Sequence, residues 1–472
     1  MTDILSFTGL LQTTTSSFLR TDSQLELCIN VNGDDVGTLT VRPGYSKFGS
    51  SVSSSPIRGA VSYPRLADST QRVFNVSNGA LTYGTGGAWT SIATGLTTDA
   101  KPEFRVFLDQ LFMVGANSSN TYLSSANING TSYSTTNNLT SAPNARFIEV
   151  FQNQLYMADT YESGTRYASR LRRSSVPNSA GDTITWPTDN YDDIYTNNGE
   201  AIMGLHTNKR LNQLLIFKET SLHAWDTFRV LDVGNIGTTA HRSIVTINFT
   251  TFFFNANQGI LKYTGQEPTL ISRPIDKWIK GIVDPTVVQG GKVNERIYKL
   301  YVGDVTVDGI TYTNCEFRYA VLDNTWTVYS YYDNFTCYFE HKVSGVIRLY
   351  AGAADGDIHQ LALSSDTVYA DDSQPIAWEF MTKALDLRRP GDKKFVYRAV
   401  IFASQCQSMT GRMRKRGGDW STHFNVDESE QPVNLSGQDG RFLQFHFSGS
   451  SVLTPSKFEG IEFLTQTTSP NA

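Results

Sequence analysis

Arg58-Gly59-Ala60-Val61-Ser62-Tyr63, Arg72-Val73-Phe74-Asn75-Val76, a Ser77-Asn78-Gly79 turn, Ala80-Leu81-Thr82-Tyr83, Gly86-Gly87 and Trp89-Thr90-Ser91-Ile92 form the stretch that decides the fold. Short apolar bursts rich in β-branched and aromatic residues stop at Gly, Asn and Ser, which accept tight turns. Four strands fit in this one unit.

The same grouping recurs downstream. Phe104-Arg105-Val106-Phe107-Leu108 leads through Asp109-Gln110 to Leu111-Phe112-Met113-Val114-Gly115 and Thr121-Tyr122-Leu123. Arg146-Phe147-Ile148-Glu149-Val150-Phe151 leads through Gln152-Asn153 to Gln154-Leu155-Tyr156-Met157-Ala158, closing near Thr183-Ile184-Thr185-Trp186. A fourth unit holds 213–218 and 221–225, a fifth 251–255 and 260–263, and a sixth 296–301, 315–319 and 325–329. The seventh holds 346–352, an Asp355-Gly356-Asp357 turn and 358–361. A period of roughly 35–50 residues with four strands per unit predicts a β-propeller, here of about seven four-stranded blades. Stacked hairpins or two sandwiches are the alternative. The seventh unit lacks an outermost strand, and Thr38-Leu39-Thr40-Val41-Arg42 is expected to supply it and close the ring.

After residue 372 the texture becomes longer alternating strands: Pro375–Phe380, Phe395–Phe402, Leu443–Phe447 and Gly460–Leu464. These predict a β-sandwich-like domain. The expected organisation is therefore all-β, with an N-terminal arm over 1–35, the propeller over 36–372 and the sandwich over 373–472. One short helix is expected at Pro274–Lys280, where Ile275, Trp278 and Ile279 share a face.

Composition agrees. Charged residues make up only 18% while aromatics reach 12%, which argues against a coiled coil or a long disordered tail. A net charge of −5 suggests no global nucleic-acid binder. The N-terminus lacks a basic region followed by an apolar core, so no signal peptide is read, and no apolar run approaches the ~18 residues of a membrane span. Cys28, Cys315, Cys337 and Cys406 lack paired spacing and are expected as free thiols.

No catalytic or cofactor constellation emerges: no nucleophile elbow, phosphate loop or zinc motif is present. The seven histidines are scattered singly. Asp192-Asp193 and Asp371-Asp372 point to opposite strand faces, as adjacent residues do. Asp34-Asp35 and Asp355-Gly356-Asp357 read as turns, with calcium at Asp355 and Asp357 the weaker alternative. Two basic clusters break the sparse charge pattern: Arg170, Arg172 and Arg173, and Arg412, Arg414 and Arg416. They read either as guarded sheet edges or as contacts to an acidic partner or to DNA phosphates. Arg412–Arg416 is expected in a hairpin projecting from the C-terminal domain.

Several segments, in order, resemble the β-propeller hub or nozzle proteins of short-tailed bacteriophages: Cys28–Val31, Leu39–Gly44 and Ile57–Gly59; Leu214–Glu219 with Leu222–Trp225; Phe252–Phe254 with Gln258–Ile260; Leu349–Gly352 with Asp357–Leu361; and Lys383–Leu387. The resemblance covers roughly 25–400 and carries no catalytic signature. It implies a structural protein of the virion tail, assembled in the host cytoplasm as a ring of six below the portal and adaptor. Such a ring contacts a needle, fibre or spike and surrounds the path of the ejected DNA, without enzymatic activity or cofactor. A carbohydrate- or receptor-binding propeller on a virion or cell surface is the alternative. A propeller glycosidase would need two carboxylates converging about 5–9.5 Å apart.

Overall fold

The computed structural model describes residues 2–5, 11–13, 20–34, 37–64, 71–115, 124–129, 132–137, 142–177, 184–226, 229–385, 393–405, 409–415, 418–421, 423–427, 429–440, 442–451 and 454–468. Five four-stranded antiparallel sheets follow one another from Ile57 to Leu270. Two-residue turns join the first two strands of several. Leu108-Asp109 and Gln152-Asn153 hold both turn residues at positive φ, the geometry that matches the twist of a tight hairpin. A sixth blade runs Gln289–Val293, Ile297–Val307, Ile310–Ala320 and Thr325–Ser330. The seventh comprises Phe335–Val343, Val346–Ala353, Ile358–Leu361 and, from the other end of the chain, Tyr45–Lys47. The protein is an all-β, seven-bladed propeller carrying a β-sandwich-like domain.

Neighbouring blades are tied by polar contacts. Tyr63 joins blade one to Asp109 of blade two (2.7 Å), and Arg105 joins blade two to Glu149 of blade three (2.8 Å). Thr207 of blade four donates to Val150 O, and His206 bonds Thr246 of blade five. Gln289 of blade six donates to Phe335 O, and Ser62 returns the ring to His341 of blade seven (2.8 Å).

The ring closes as expected, but with a different strand. Leu39–Val41 pairs with Val31–Asn32 and with Leu39↔Phe458 and Thr40↔Lys457, so it belongs to the sandwich. Leu39 and Val41 are buried there, and Pro43-Gly44 carries the chain on to Tyr45. Gly44 is required at that step, because a Cβ would stand 1.9 Å from Ala370 O. The third strand of blade two is Ser124–Asn129, and the outermost strand of blade three is Tyr191–Asp193. Thr121-Tyr122-Leu123 and Thr183 lie outside the described residues. The one α-helix among the described residues, Asp276–Lys280, buries Trp278 and Ile279, with Ile275 packed beside them.

The sandwich is built from both chain ends. One sheet places Thr2–Leu5 and Leu39–Val41 against Lys457–Thr468, followed by Lys393–Ser404 and Glu430–Gly440. The facing sheet runs Leu25–Ile29, Gln374–Thr382, Leu443–Ser451, Met409–Lys415 and Phe424–Val426. Alternate residues point inward and form an aromatic core. Phe380 stacks on Phe447 at 5.1 Å, and Phe458 packs edge-on against Phe380 at 4.9 Å. The N-terminal strands Thr2–Leu5, Leu25–Ile29, Val31–Asn32 and Leu39–Val41 therefore pair into the sandwich, where a separate arm over 1–35 was expected.

Leu25–Ile29 also meets the outermost strand of blade six, through Ile29↔Val328, so blade and sandwich share one continuous sheet. At this junction Arg42 is fully buried. Its guanidinium donates to both carboxylate oxygens of Asp371 (2.8 and 2.6 Å), to Asn30 Oδ1 (2.7 Å) and to Ser330 O (2.9 Å), above the Tyr331 ring. A second buried pair, Lys299–Glu316 (2.8 Å), is closed over by the Tyr331 and Tyr338 hydroxyls. Buried charges tolerate such a site only when paired and hydrogen-bonded.

Candidate functional site

The innermost strands of the blades surround two adjoining cavities of about 680 and 270 Å³ on the propeller axis. Both are lined by Arg105, His206, Ile244, Gly290, Tyr338 and Phe339; Lys292 and Glu340 lie on one side, Glu103, His241 and Arg242 on the other. Several of the charges are paired. Arg105 bonds Glu149, whose other oxygen accepts the Val150 amide at 2.9 Å. His241 is paired with Glu103, and Lys292 with Glu295. Arg242 donates to Pro102 O at 2.9 Å.

Burial opposes the Glu103 and Glu149 carboxylates, yet His241 and Arg105 respectively outweigh it and hold both below the ordinary range. Burial pushes His206 down to about 4, so it is neutral at pH 7 and shares a 2.8 Å hydrogen bond with Thr246. The sign for stability follows. A base with a depressed folded pKa binds its proton less readily than the unfolded chain, so stability is full above about pH 6.5 and falls as pH drops toward 4. The two depressed carboxylates lose their contribution at still lower pH. His206→Gln, which keeps a hydrogen-bonding group for Thr246, is expected to flatten urea-unfolding stability between pH 6.5 and 4. An unchanged slope there would assign the acid sensitivity elsewhere.

The first basic cluster is committed within the chain. Arg170 donates to both oxygens of Asp193 (2.8 and 3.0 Å) and lies between the Tyr167 and Tyr191 rings. Arg172 is buried and donates to Thr188 O, and Arg173 bonds Asp192 at 2.6 Å. The adjacent Asp192-Asp193 is thus the partner of the arginine cluster. Arg412 and Arg414 share a strand face, as alternation predicts, but that face is occupied. Both stack against Trp420 (4.8 and 4.4 Å), Arg412 bonds His446 (3.0 Å) and Arg414 bonds Gln444 (2.7 Å). His446 in turn contacts Glu379 at 2.8 Å. Their strand lies inside the sandwich sheet and faces a groove of about 420 Å³ toward blade six, where Arg20, Lys277, Glu26 and Asp308 also line the wall. Arg416 lies outside the described residues, as does Cys406.

Two further clusters stand out, the first not read from the sequence and the second read only in part, as a weaker calcium alternative at Asp355 and Asp357. Ser221 Oγ lies 3.0 Å from His223 Nε2, and His223 Nδ1 lies 3.6 Å from Asp232. Spacing of two along a strand puts Ser221 and His223 on one face, which was a visible signal. His223 is only 2% exposed and stacked on Tyr195, and Ser221 is 9% exposed, so the string caps a blade interior instead of opening onto either axial cavity. The second cluster lies at the ring closure, where Asp355, Asp357 and His359 place one ligating atom each within 4.8 Å of one another.

No protein-family model matches the chain, and no curated protein does. Among solved structures, the crystal structure of BBS1N in complex with ARL6DN, soaked with mercury, superposes with a TM-score of 0.41 at 11% identity, covering 69% of this chain and 99% of that one.

Proposed function

We propose that the protein is a structural subunit of a short-tailed bacteriophage tail, a hub or nozzle component that assembles in a ring around the DNA exit path. The observation that carries this reading is the ordered set of segments resembling that family, which falls on one welded body. Leu214–Trp225 lies in blade four, Phe252–Ile260 in blade five, Leu349–Leu361 in blade seven and Ile57–Gly59 in blade one, while Ile29 ties the sandwich to blade six. A propeller sharing a sheet with its appended domain suits a load-bearing part. In this reading the path for DNA is the space enclosed by several copies, and the charge-lined cavities on the axis of each propeller are not part of it. Exposed Val343, Val346 and Ile347 at the blade-seven hairpin offer an apolar surface for a neighbouring copy.

Negative-stain imaging of the full chain, alone and with the adaptor ring, is expected to show six-fold rings. Particles that stay monomeric under both conditions would remove the hub reading. Changing Arg412, Arg414 and Arg416 together to Ser is expected to weaken ring or tail assembly, most visibly as salt rises. The loss of the Trp420 contacts is expected to lower monomer stability by about 1–2 kcal/mol. Assembly that is normal at every ionic strength would make these arginines purely structural.

The proposed protein is not an enzyme. A fluorophosphonate probe is expected to leave Ser221 unlabelled, and stoichiometric labelling lost in Ser221→Ala would refute this. A glycan-binding role is the second reading, favoured by the exposed rings of Tyr161, Tyr191 and Tyr195 on or beside blade three. Glycan-array binding without ring formation would select it.

A further inference from the structure

We propose that Asp355, Asp357 and His359 form a divalent-cation site, of the Mn²⁺ to Zn²⁺ class, on the seam where the N-terminal strand closes the propeller. The spacing of two places all three along one turn-to-strand segment, opposite Tyr45–Lys47 in the register His359↔Lys47. Asp355 fixes the turn by accepting the Asp357 amide at 3.0 Å through Oδ1, and its exposed side chain opens the cluster to solvent. Gly356 sits at φ +89 with Ser53 O close behind, so the turn has one shape.

Two groups point to a missing ligand. Asp357 Oδ1 is buried without a hydrogen-bond partner, while Oδ2 meets Lys47 Nζ at 2.6 Å. His359 is 1% exposed, yet neither ring nitrogen makes a hydrogen bond; Nε2 lies 3.3 Å from Asp333 Oδ2, an oxygen that already accepts the Tyr45 hydroxyl. Buried polar atoms are normally satisfied, so an imidazole without a hydrogen bond beside an unpartnered carboxylate oxygen marks a place for a cation. Negative charge is also in excess: Asp333 and Asp372 stand near the three-residue cluster, with Lys47 as the cation across the seam.

Mixed carboxylate and imidazole ligands favour a first-row ion over calcium. Ligand atoms about 2.1 Å from such an ion lie roughly 3–4 Å apart, so the present spacing needs only small side-chain rotations. Lys47 is partly exposed and can swing into solvent as the ion takes Asp357 Oδ2. The site stands independently of the hub reading.

The test uses the full chain, stripped with EDTA and titrated with MnCl₂, then ZnCl₂. Expected are one saturable site per chain, a raised melting temperature and ¹⁴N coupling in the pulsed EPR spectrum of bound Mn²⁺. Asp355→Asn keeps the turn's acceptor oxygen and should fold, while weakening binding at least tenfold. Lys47→Met removes the competing ammonium and should tighten binding. Absence of a saturable site, absence of ¹⁴N coupling, or affinity unmoved in both variants would overturn the proposal.

Discussion

Arg42→Met is expected to cost about 3–5 kcal/mol in urea unfolding, because it strands the buried Asp371 carboxylate without its cation. The loss reaches beyond one pair. Arg42 also ties Asn30 of the sandwich to Ser330 at the end of blade six, and both lose a charged donor. Coulombic attraction and removal from water oppose each other in such a pair, so the penalty arises chiefly from the orphaned charge. The double variant Arg42→Met with Asp371→Leu should therefore recover much of the loss. If the single variant unfolds within about 0.5 kcal/mol of wild type, the junction is hydrated and the pair contributes little.

Removing residues 1–47 is expected to do more damage. Tyr45 is 1% exposed among Tyr331, Phe335 and His359, and losing a buried aromatic side chain alone costs about 3–5 kcal/mol. Ile358–Leu361 would become a bare edge, and Gln374–Thr382 would lose the Leu25–Ile29 pairing. Exposed edges template association between chains, so the truncated protein should aggregate or unfold with a reduced m-value. A soluble monomer with the wild-type m-value would mean the ring holds without its N-terminal strand.

The blade pattern was legible because each blade repeats local chemistry: an apolar strand, a turn residue that accepts positive φ, and another strand. Gln152-Asn153 is visible in the chain without knowledge of anything distant. The choice of closing strand was not. Leu39-Thr40-Val41 and Tyr45-Ser46-Lys47 both alternate, and what separates them is the burial of Leu39 and Val41 against strands more than four hundred residues away. The basic clusters were visible as charge but not as pairs, since Arg170 with Asp193 and Arg412 with His446 meet only through strand register. The Asp355–His359 spacing was also present in the chain. Its meaning came from Lys47 and Asp333, which only ring closure brings alongside.

The interleaving of both chain ends in one sandwich imposes an order on biosynthesis. Blades one to five can form as each emerges from the ribosome, since their contacts are local. Leu25–Ile29 must wait for Gln374–Thr382, and Leu39–Val41 for Lys457–Thr468, so the earliest strands made are among the last to find partners. Closing such long loops is slow in entropic terms, although each doubling of length adds only about 0.6 kcal/mol. During that interval the leading segment travels as an unpaired, strand-forming tail. A chaperone that shields it, or a neighbouring copy that captures it by strand exchange, would therefore decide between productive maturation and a domain-swapped assembly.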